Sequence, residues 1–223
     1  MQRSQINDIL RAADDFIRAQ GVALPPFAHL DPAALSAGDH AEIRARRLGW
    51  DVTDYNRGDF ARLGLALFTL RNGTEAELRA GRGMVYAEKL LISEVDQLSP
   101  MHRHLVKTED IINRSGGRLV VELFGSQPDG ARDPEAGVSV MCDGIVRDVA
   151  AGGKLVLRTG ESVTLRPGDW HAFWAEGARC LIGEVSSVND DVTDNLFDPP
   201  LPRFAEVVED VAPWRLLVSD YLG

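Results

Sequence analysis

The sequence predicts a mainly β fold, a barrel or a sandwich, with a helical extension at its N-terminus. In the first third of the chain, apolar residues recur at the spacing of a helix that buries one face. From Met84 onward, short apolar runs alternate with Gly, Asp and Pro, which is typical of short strands joined by tight turns. We therefore expect one structural unit, in which a helical extension over residues 1–82 packs on a barrel over residues 83–223 whose C-terminal tail wraps around it.

Three helices are predicted in the extension. The first covers the apolar repeat of residues 6–17 and ends before Gly21. The second begins at Asp31, whose carboxylate can cap a helix with proline in its first turn, and continues toward Arg47. The third covers residues 59–70, where four large apolar side chains would lie on one side of a helix. We interpret all three apolar faces as core-packing surfaces.

The second part of the chain contains five predicted strands with turn sequences between them. The strands cover residues 119–124, 137–142, 154–157, 162–165 and 179–185. The turns are Asp143-Gly144, Gly152-Gly153, Thr159-Gly160 and Pro167-Gly168. The tail from Asp194 contains three prolines, so we expect it to wrap the outside of the barrel or to close one of its mouths.

Composition restricts the possible partners. The net charge of −10 disfavours nucleic acid and anionic membranes, because both repel an acidic protein. The first residues lack the apolar run of a signal peptide, and no segment is apolar over the length needed to cross a bilayer, so we expect a cytoplasmic protein. Cys142 and Cys180 both lie in apolar strand-like stretches, and we interpret them as buried free thiols.

Four residues form a candidate metal site. His102 and His104 are two residues apart, so on a strand both imidazoles point to the same face. Glu109 follows after a short gap and can return on the neighbouring strand, and His171 comes just after a predicted turn. Three imidazoles and one carboxylate suit a divalent ion such as Mn, Fe, Zn, Ni or Co, and the ligand types alone do not select among these metals.

Two segments that contain these residues resemble the cupin superfamily. The stretch from His102 to Gly116 is similar to the first cupin motif, and the stretch from Gly160 to His171 is similar to the second. Asp96 stands where the first motif has a glycine. The resemblance implies a cupin (jelly-roll) β-barrel that holds one divalent metal ion.

A closer resemblance links the chain to the D-lyxose isomerase family. It rests on residues 100–114, PMHRHLVKTEDIINR, on residues 184–191 with Asp194-Asn195, and on Arg203-Phe204 with the acidic run that follows to Asp210. The family implies a manganese-dependent aldose–ketose isomerase that acts on a small free sugar, and usually a homodimer. The expected reaction interconverts D-lyxose and D-xylulose, with D-mannose and D-fructose as a second pair.

Such a reaction moves a proton between C1 and C2 of the sugar and therefore needs a base and an acid. Lys107, between two candidate ligands, can serve the sugar oxygens. Glu206 is the first candidate base because it lies in a tail that could close the barrel. Glu184, in the apolar stretch of residues 181–185, is the second candidate. The sequence does not decide between them.

Fixed polar groups and an apolar wall would bind the sugar. The polar candidates are Lys89, Asp191 and Arg203. On a strand, only one of Phe173 and Trp174 can face the same side as His171, and Phe173 has the matching parity.

Other functions are compatible with a cupin metal site. A cupin iron dioxygenase would need open coordination positions for oxygen and its substrate. A non-catalytic sugar-binding cupin would retain its metal without turnover. A phosphosugar isomerase would need a cluster of basic residues for the phosphate, and no such cluster adjoins either motif in the sequence, so we favour an uncharged sugar.

Overall fold

A computed structural model describes residues 1–222, and within them the chain forms a sheet of eleven strands whose paired neighbours run antiparallel. The strands are β1 (Gly49–Thr53), β2 (Leu65–Asn72), β3 (Tyr86–Ser93), β4 (Ser99–His104), β5 (Glu109–Phe124), β6 (Val138–Cys142), β7 (Ile145–Val149), β8 (Gly153–Leu157), β9 (Ser162–Leu165), β10 (Trp170–Ser187) and β11 (Asn195–Phe197). The predicted mainly β fold is confirmed. All five predicted strands are present, as parts of β5, β6, β8, β9 and β10.

The sheet closes into a barrel through its two longest strands, β5 and β10, which pair with each other along most of their length. The start of β5 pairs with β9 and its end with β8. The start of β10 pairs with β4 and its end with β3. Each long strand therefore continues from one group of strands to another and bends between them, as strands that close a barrel do.

The bend depends on a glycine. Where β5 crosses β10, the register shifts between Glu176 and Cys180, which marks a β-bulge. Gly116 lies opposite with a φ of 96°, and a Cβ there would come within 2.0 Å of the carbonyl oxygen of Arg179. Asp96, which stands where the cupin motif has glycine, also has a left-handed backbone with a φ of 58°.

Two apolar clusters stabilise the molecule. One fills the barrel and includes the inward-facing side chains of β2, β5, β9 and β10. The other lies outside the sheet, where α1 packs on β1, β2 and β3. β2 belongs to both, because Leu65 and Leu67 point into the barrel while Ala66 and Phe68 face α1. Because both faces of β2 are buried, its sequence is a continuous apolar run without the alternation of a half-buried strand.

The helices within residues 1–222 differ from the prediction after the first. They are α1 (Arg3–Ala19), α2 (Pro32–Ala37), α3 (Ala41–Ala45) and α4 (Glu75–Ala80), with short 3-10 helices at Pro26–His29 and Val218–Leu222. The Asp31 carboxylate caps α2 by accepting from the Ala34 backbone N–H at 2.7 Å, as predicted. The predicted second helix toward Arg47 is interrupted after Ala37. The helix predicted over residues 59–70 is wrong, because residues 59–64 form turns and the rest of the segment belongs to β2.

The C-terminal tail returns to the first helix. The buried guanidinium of Arg3 lies 2.5 Å from Glu209 and 2.9 Å from Asp220. Leu217 is buried beside α1 in the outer cluster. Cys142 and Cys180 are buried free thiols, as predicted. The described part of the chain contains no helix that is both long and apolar enough to cross a membrane.

Candidate active site

Three strands bring the predicted metal ligands together. His102 and His104 lie on β4, Glu109 is the first residue of β5, and His171 is the second residue of β10. His171 and His102 are paired across β10 and β4. Each of the four residues offers a ligand atom, and these atoms all lie within 4.8 Å of one another. A metal ion can therefore be held by all four side chains.

Hydrogen bonds orient two of the imidazoles. The Nδ1 of His102 lies 2.8 Å from the Pro100 carbonyl oxygen, and the Nδ1 of His171 lies 3.0 Å from the Asp169 carbonyl oxygen. When Nδ1–H donates to these carbonyls, the lone pair of each ring is on Nε2 and faces the cluster. This arrangement is common for histidines that bind metals. The backbone of β4 and of the turn before β10 thus fixes the ligand atoms.

The buried atoms of the cluster fit a cation. His171 Nε2 lies 3.1 Å from Glu109 Oε1, yet within residues 1–222 it has no hydrogen-bond partner of acceptable geometry. A buried nitrogen in this state is costly unless a ligand binds it. Burial lowers the pKa of His102 well below its usual value, and the nearby His171 and His104 act in the same direction. Neutral imidazole is the form that binds metal ions.

Glu109 supplies the negative charge of the cluster. Burial alone would raise its pKa, but the charge of Lys107 and the contacts with His104 and His171 outweigh burial and hold the pKa well below its usual value. Glu109 Oε1 lies 3.2 Å from His104 Nε2. Three imidazoles and one carboxylate are a donor set that suits a divalent first-row metal.

Asp194 fixes the turn between β4 and β5. Its Oδ1 accepts from the backbone N–H groups of Leu105 at 2.9 Å and Val106 at 2.7 Å, and its Oδ2 accepts from that of Lys107 at 3.1 Å. Because Asp194 is buried, this turn is held firmly between two ligand-bearing strands. The consequence is that the side chain of Lys107 points into the barrel and is itself buried.

Lys107 links the metal-binding cluster to a second carboxylate. Its Nζ lies 2.7 Å from Glu109 Oε2 and 2.9 Å from Glu184 Oε1. Lys89 reaches the same Glu184 oxygen at 3.4 Å. The amide oxygen of Asn189 accepts from both lysines, at 2.6 Å from Lys89 and 3.4 Å from Lys107. Burial alone would lower the pKa of Lys107, but the neighbouring carboxylates outweigh it, so the ammonium form is favoured.

The charged chain continues to the far end of the cavity. Asp191 lies 3.5 Å from Lys89, and Arg203 Nη2 lies 3.3 Å from Asp191. Arg203 Nη1 lies 2.8 Å from Asp51, a buried carboxylate on β1. Burial alone would raise the pKa of Asp191, but the charges of Arg203 and the two lysines outweigh it and hold the pKa well below its usual value.

These residues line one cavity, with about 410 Å³ of space not filled by atoms. The sequence-predicted residues in its wall are His102, His104, Glu109, Lys107, Glu184, Lys89, Phe173, Asp191 and Arg203. Phe173 is buried in this wall, whereas Trp174 is half-buried and carries Lys154 over its ring.

Glu206 lies away from both the ligand cluster and the cavity, so the structure does not support it as the base. Its side chain is exposed on the tail and does not line the cavity. It contributes through its main chain, because its carbonyl accepts from the N-terminal amine at 2.6 Å and its N–H donates to the side chain of Asn56 at 2.6 Å. Glu184 is thus the candidate base that the fold places beside the ligands.

Several cavity residues were not found from the sequence. Their side chains come from the loop after β1, from β4, from the loop after β10 and from β11; these are Tyr55, Ser99, Asn195 and Phe197, with Asn189 and Asp51 behind them. None of these lies in a motif that predicts a ligand or a base. The segments that resemble the family, residues 184–191 and Asp194-Asn195, include Asn189 and Asn195 but give them no role.

Comparisons with known proteins decide the family. The D-lyxose isomerase family model matches residues 1–221. The D-lyxose/D-mannose isomerase of Serratia proteamaculans is 45% identical over 228 residues, which span 100% of this chain and 98% of that protein.

The chain belongs to the D-lyxose isomerase family.

A second relative agrees: the D-lyxose/D-mannose isomerase of Escherichia coli O157:H7 is 44% identical over 230 residues, covering 99% of this chain and 98% of that protein. Membership in the family makes this chain an aldose–ketose sugar isomerase. The predicted resemblance is confirmed.

Solved structures agree on the fold. The L-ribose isomerase of Cellulomonas parahominis, solved with L-ribose, superposes with a TM-score of 0.62 at 16% identity and covers 93% of this chain and 98% of that one. The L-ribose isomerase of Geodermatophilus obscurus has a TM-score of 0.58 at 17% identity, with 88% and 92% covered. The predicted cupin fold is confirmed.

Proposed function

We propose that this sugar isomerase interconverts D-lyxose and D-xylulose, with D-mannose and D-fructose as a second pair, and that it depends on a divalent ion held by His102, His104, Glu109 and His171. The observation that carries the proposal is the position of Lys107, 2.7 Å from a candidate metal ligand and 2.9 Å from Glu184. The choice of sugars is supported by the two relatives, both of which are D-lyxose/D-mannose isomerases. Resemblance to the family supports manganese as the ion and a homodimer as the assembly.

A bound divalent ion would act as a Lewis acid for the carbonyl oxygen of the open-chain sugar and its neighbouring hydroxyl oxygen. The four ligands would hold it at one end of the cavity. Because the four ligands are buried, bulk water is excluded from the space around C1 and C2 of the sugar.

Glu184 is the base of the proposed reaction. Both lysines contact its Oε1, which leaves Oε2 as the oxygen that takes a proton from C2 of the aldose. The electrons of the C2–H bond form a C1=C2 double bond, and the carbonyl oxygen at C1 takes a proton from the Lys107 ammonium, so an enediol results. Lys107, now neutral, takes the proton of the C2 hydroxyl, the C2 carbonyl forms, and Glu184 returns its proton to C1.

Lys107 serves the oxygens during these steps. Its ammonium group lies between Glu109 and Glu184, so it can donate to an oxygen at C1 or C2 as negative charge develops there. Lys89 lies on the other side of Glu184 and holds the carboxylate in place together with Lys107. The Asn189 amide oxygen accepts from both ammonium groups and fixes their separation.

The charge balance of the cavity favours an uncharged sugar over a sugar phosphate. Among the described residues that line it, the three cations Lys89, Lys107 and Arg203 each contact a carboxylate. A phosphate would need cations that are free to bind it, often in bidentate fashion. Arg203 and Asp191 are better suited to hydrogen bonds with hydroxyl groups of the sugar.

A metal-depletion experiment tests the proposal. The protein is stripped with a chelator, restored separately with Mn²⁺, Co²⁺, Ni²⁺, Zn²⁺ and Fe²⁺, and incubated with free aldoses and their phosphates while ketose formation is followed. We expect stripped protein to be inactive, and restored protein to convert D-lyxose faster than any sugar phosphate.

The double variant His102→Ala/His104→Ala is the matched control, because it should fold, bind no metal and stay inactive after metal addition. Full activity of the stripped protein or of this variant would contradict the proposal. Turnover that consumes oxygen, rather than isomerisation, would favour the dioxygenase function instead.

A further inference from the structure

A hydroxyl group at the far end of the cavity has no role in the steps above. It belongs to Tyr55, which lines the cavity and is 2% exposed. The Tyr55 ring packs edge-on against Phe197 with centroids 5.5 Å apart, and Phe197 in turn lies 5.5 Å from the ring of His102. This aromatic row forms one wall that leads away from the metal-binding cluster. Tyr55 therefore stands at the end of the cavity that is remote from the reacting carbons.

The hydroxyl group of Tyr55 is poorly satisfied by the protein. Its nearest hydrogen-bonding partner within residues 1–222 is the Ser99 hydroxyl at 3.5 Å. Hydroxyl groups that hydrogen bond well are about 2.7–2.8 Å apart. A buried hydroxyl without a good partner is destabilising. Because both groups line the cavity, they can bind a hydroxyl group of a ligand that lies between them.

The backbone of Tyr55 has an unfavourable conformation that is held in place by contacts with neighbouring residues. Its φ of 52° is in the left-handed region, where a bulky residue is rare and costly. Three contacts impose this conformation. Tyr55 N–H donates to Thr53 Oγ1 at 3.0 Å, the Asp54 carboxylate accepts from Asn56 N–H at 3.0 Å, and the Asn56 side chain accepts from Glu206 N–H at 2.6 Å. The turn and the tail together direct the aromatic ring into the cavity.

We propose that the hydroxyl groups of Tyr55 and Ser99 bind the terminal hydroxyl of the open-chain sugar, the one most remote from its carbonyl group, so that Tyr55 is a specificity-determining residue. The inference rests on the proposed function, because the ligands at the opposite end would set the direction in which the sugar lies. Arg203 and Asp191, which already bind each other, contact the inner hydroxyl groups. Sugars that lack the terminal hydroxyl lose the contribution of Tyr55.

The test compares two proteins on two sugars. Wild type and Tyr55→Phe are assayed with D-lyxose and with 5-deoxy-D-lyxose, and the ratio of kcat/KM between the proteins is taken for each sugar. Differences in ring opening between the sugars cancel in this ratio. We expect Tyr55→Phe to lower kcat/KM for D-lyxose about tenfold, mainly through KM, the size of one hydrogen bond. For 5-deoxy-D-lyxose the ratio is expected to be one.

Two further variants complete the design. Ser99→Ala should show the same selective loss, and Tyr86→Phe, an exposed tyrosine outside the cavity wall, should show none. Thermal unfolding of each variant verifies folding. An equal loss with both sugars would mean that Tyr55 only supports the structure and would overturn the inference, as would an unchanged kcat/KM for D-lyxose.

Calorimetry separates this inference from the proposed function. Wild type that turns over neither sugar overturns the proposed function. In that case a preference of wild type for binding D-lyxose over 5-deoxy-D-lyxose, abolished in Tyr55→Phe, still supports the inference. Equal binding of both sugars by wild type overturns it.

Discussion

A buried cation lies between two carboxylates at each end of the cavity, but the two groups are built differently. Near the metal-binding cluster, Lys107 Nζ lies 2.7 Å from Glu109 and 2.9 Å from Glu184, and both acids line the cavity. At the far end, Arg203 lies 2.8 Å from Asp51, which is outside the cavity wall. Lys107 therefore contacts two carboxylates that face the substrate space, whereas one carboxylate partner of Arg203, Asp51, lies outside that space.

The chemistry of the two cations fits this difference. A lysine ammonium is a compact charge on a flexible stem, so it can follow negative charge as it develops on the sugar oxygens. An arginine guanidinium is planar and offers its donors in a fixed geometry, so it suits the recognition of a substrate group. Disruption of the Lys107 group should therefore lower kcat, whereas disruption of the Arg203 group should raise KM.

The largest expected effect is that of Glu184→Gln. The amide keeps the shape of the side chain but cannot accept the C2 proton, so we expect kcat to fall about 10³-fold, within the usual range for loss of a general base. The bound metal should be retained, because Glu184 is not among the four candidate ligands. Steady-state kinetics and metal analysis of the purified variant measure both quantities.

Glu206→Gln is the matched control for this variant. The same substitution at an exposed carboxylate outside the cavity should leave kcat close to that of wild type. A large loss in Glu206→Gln together with normal turnover of Glu184→Gln would reverse the assignment of the base.

Asp51→Asn should have a smaller effect of a different kind. The variant removes the negative charge behind Arg203, which then keeps one carboxylate partner, Asp191 at 3.3 Å, and can turn away from the substrate. Loss of one charge-assisted contact corresponds to about a tenfold rise in KM for D-lyxose, with little change in kcat. An unchanged KM with a reduced kcat would show that Asp51 does not act through Arg203 in binding.

Asp220→Asn makes the same change beside a second arginine, Arg3, and should have no effect on catalysis. Arg3 also lies between two carboxylates, Glu209 and Asp220, but it joins the first helix to the tail, outside the cavity wall. We expect a lower melting temperature, corresponding to about 2 kcal/mol of stability, with kcat and KM unchanged. A change in KM equal to that of Asp51→Asn would show that both substitutions act through global stability.

The metal-binding end of the cavity could be predicted from sequence because local spacing determines it. His102 and His104 face the same side because they are two residues apart on one strand, and Phe173 follows His171 by the same parity. Glu109 begins the next strand after a short turn. These relations do not depend on how distant parts of the chain pack.

The far end could not be predicted because tertiary contacts build it. β2 is buried on both faces, so its apolar run lacks the alternation of a half-buried strand and predicts a helix instead. Tyr55 lines the cavity, and Asp51 lies behind Arg203, only because β1 pairs with β2 and the chain then turns back. The tail passes Glu206 along the outside and directs Arg203 inward, a path that is fixed by contacts with Met1 and Asn56.

The central claim is that Glu184 moves a proton between C1 and C2 of the sugar, and solvent exchange tests it most directly. D-lyxose is incubated in D₂O with metal-loaded wild type and with Glu184→Gln, and the ketose is examined by NMR. The account predicts that wild type introduces solvent deuterium at C1 of D-xylulose and that Glu184→Gln introduces none over the same time. Complete retention of the original C2 hydrogen at C1 over many wild-type turnovers would indicate a hydride shift and would contradict the account.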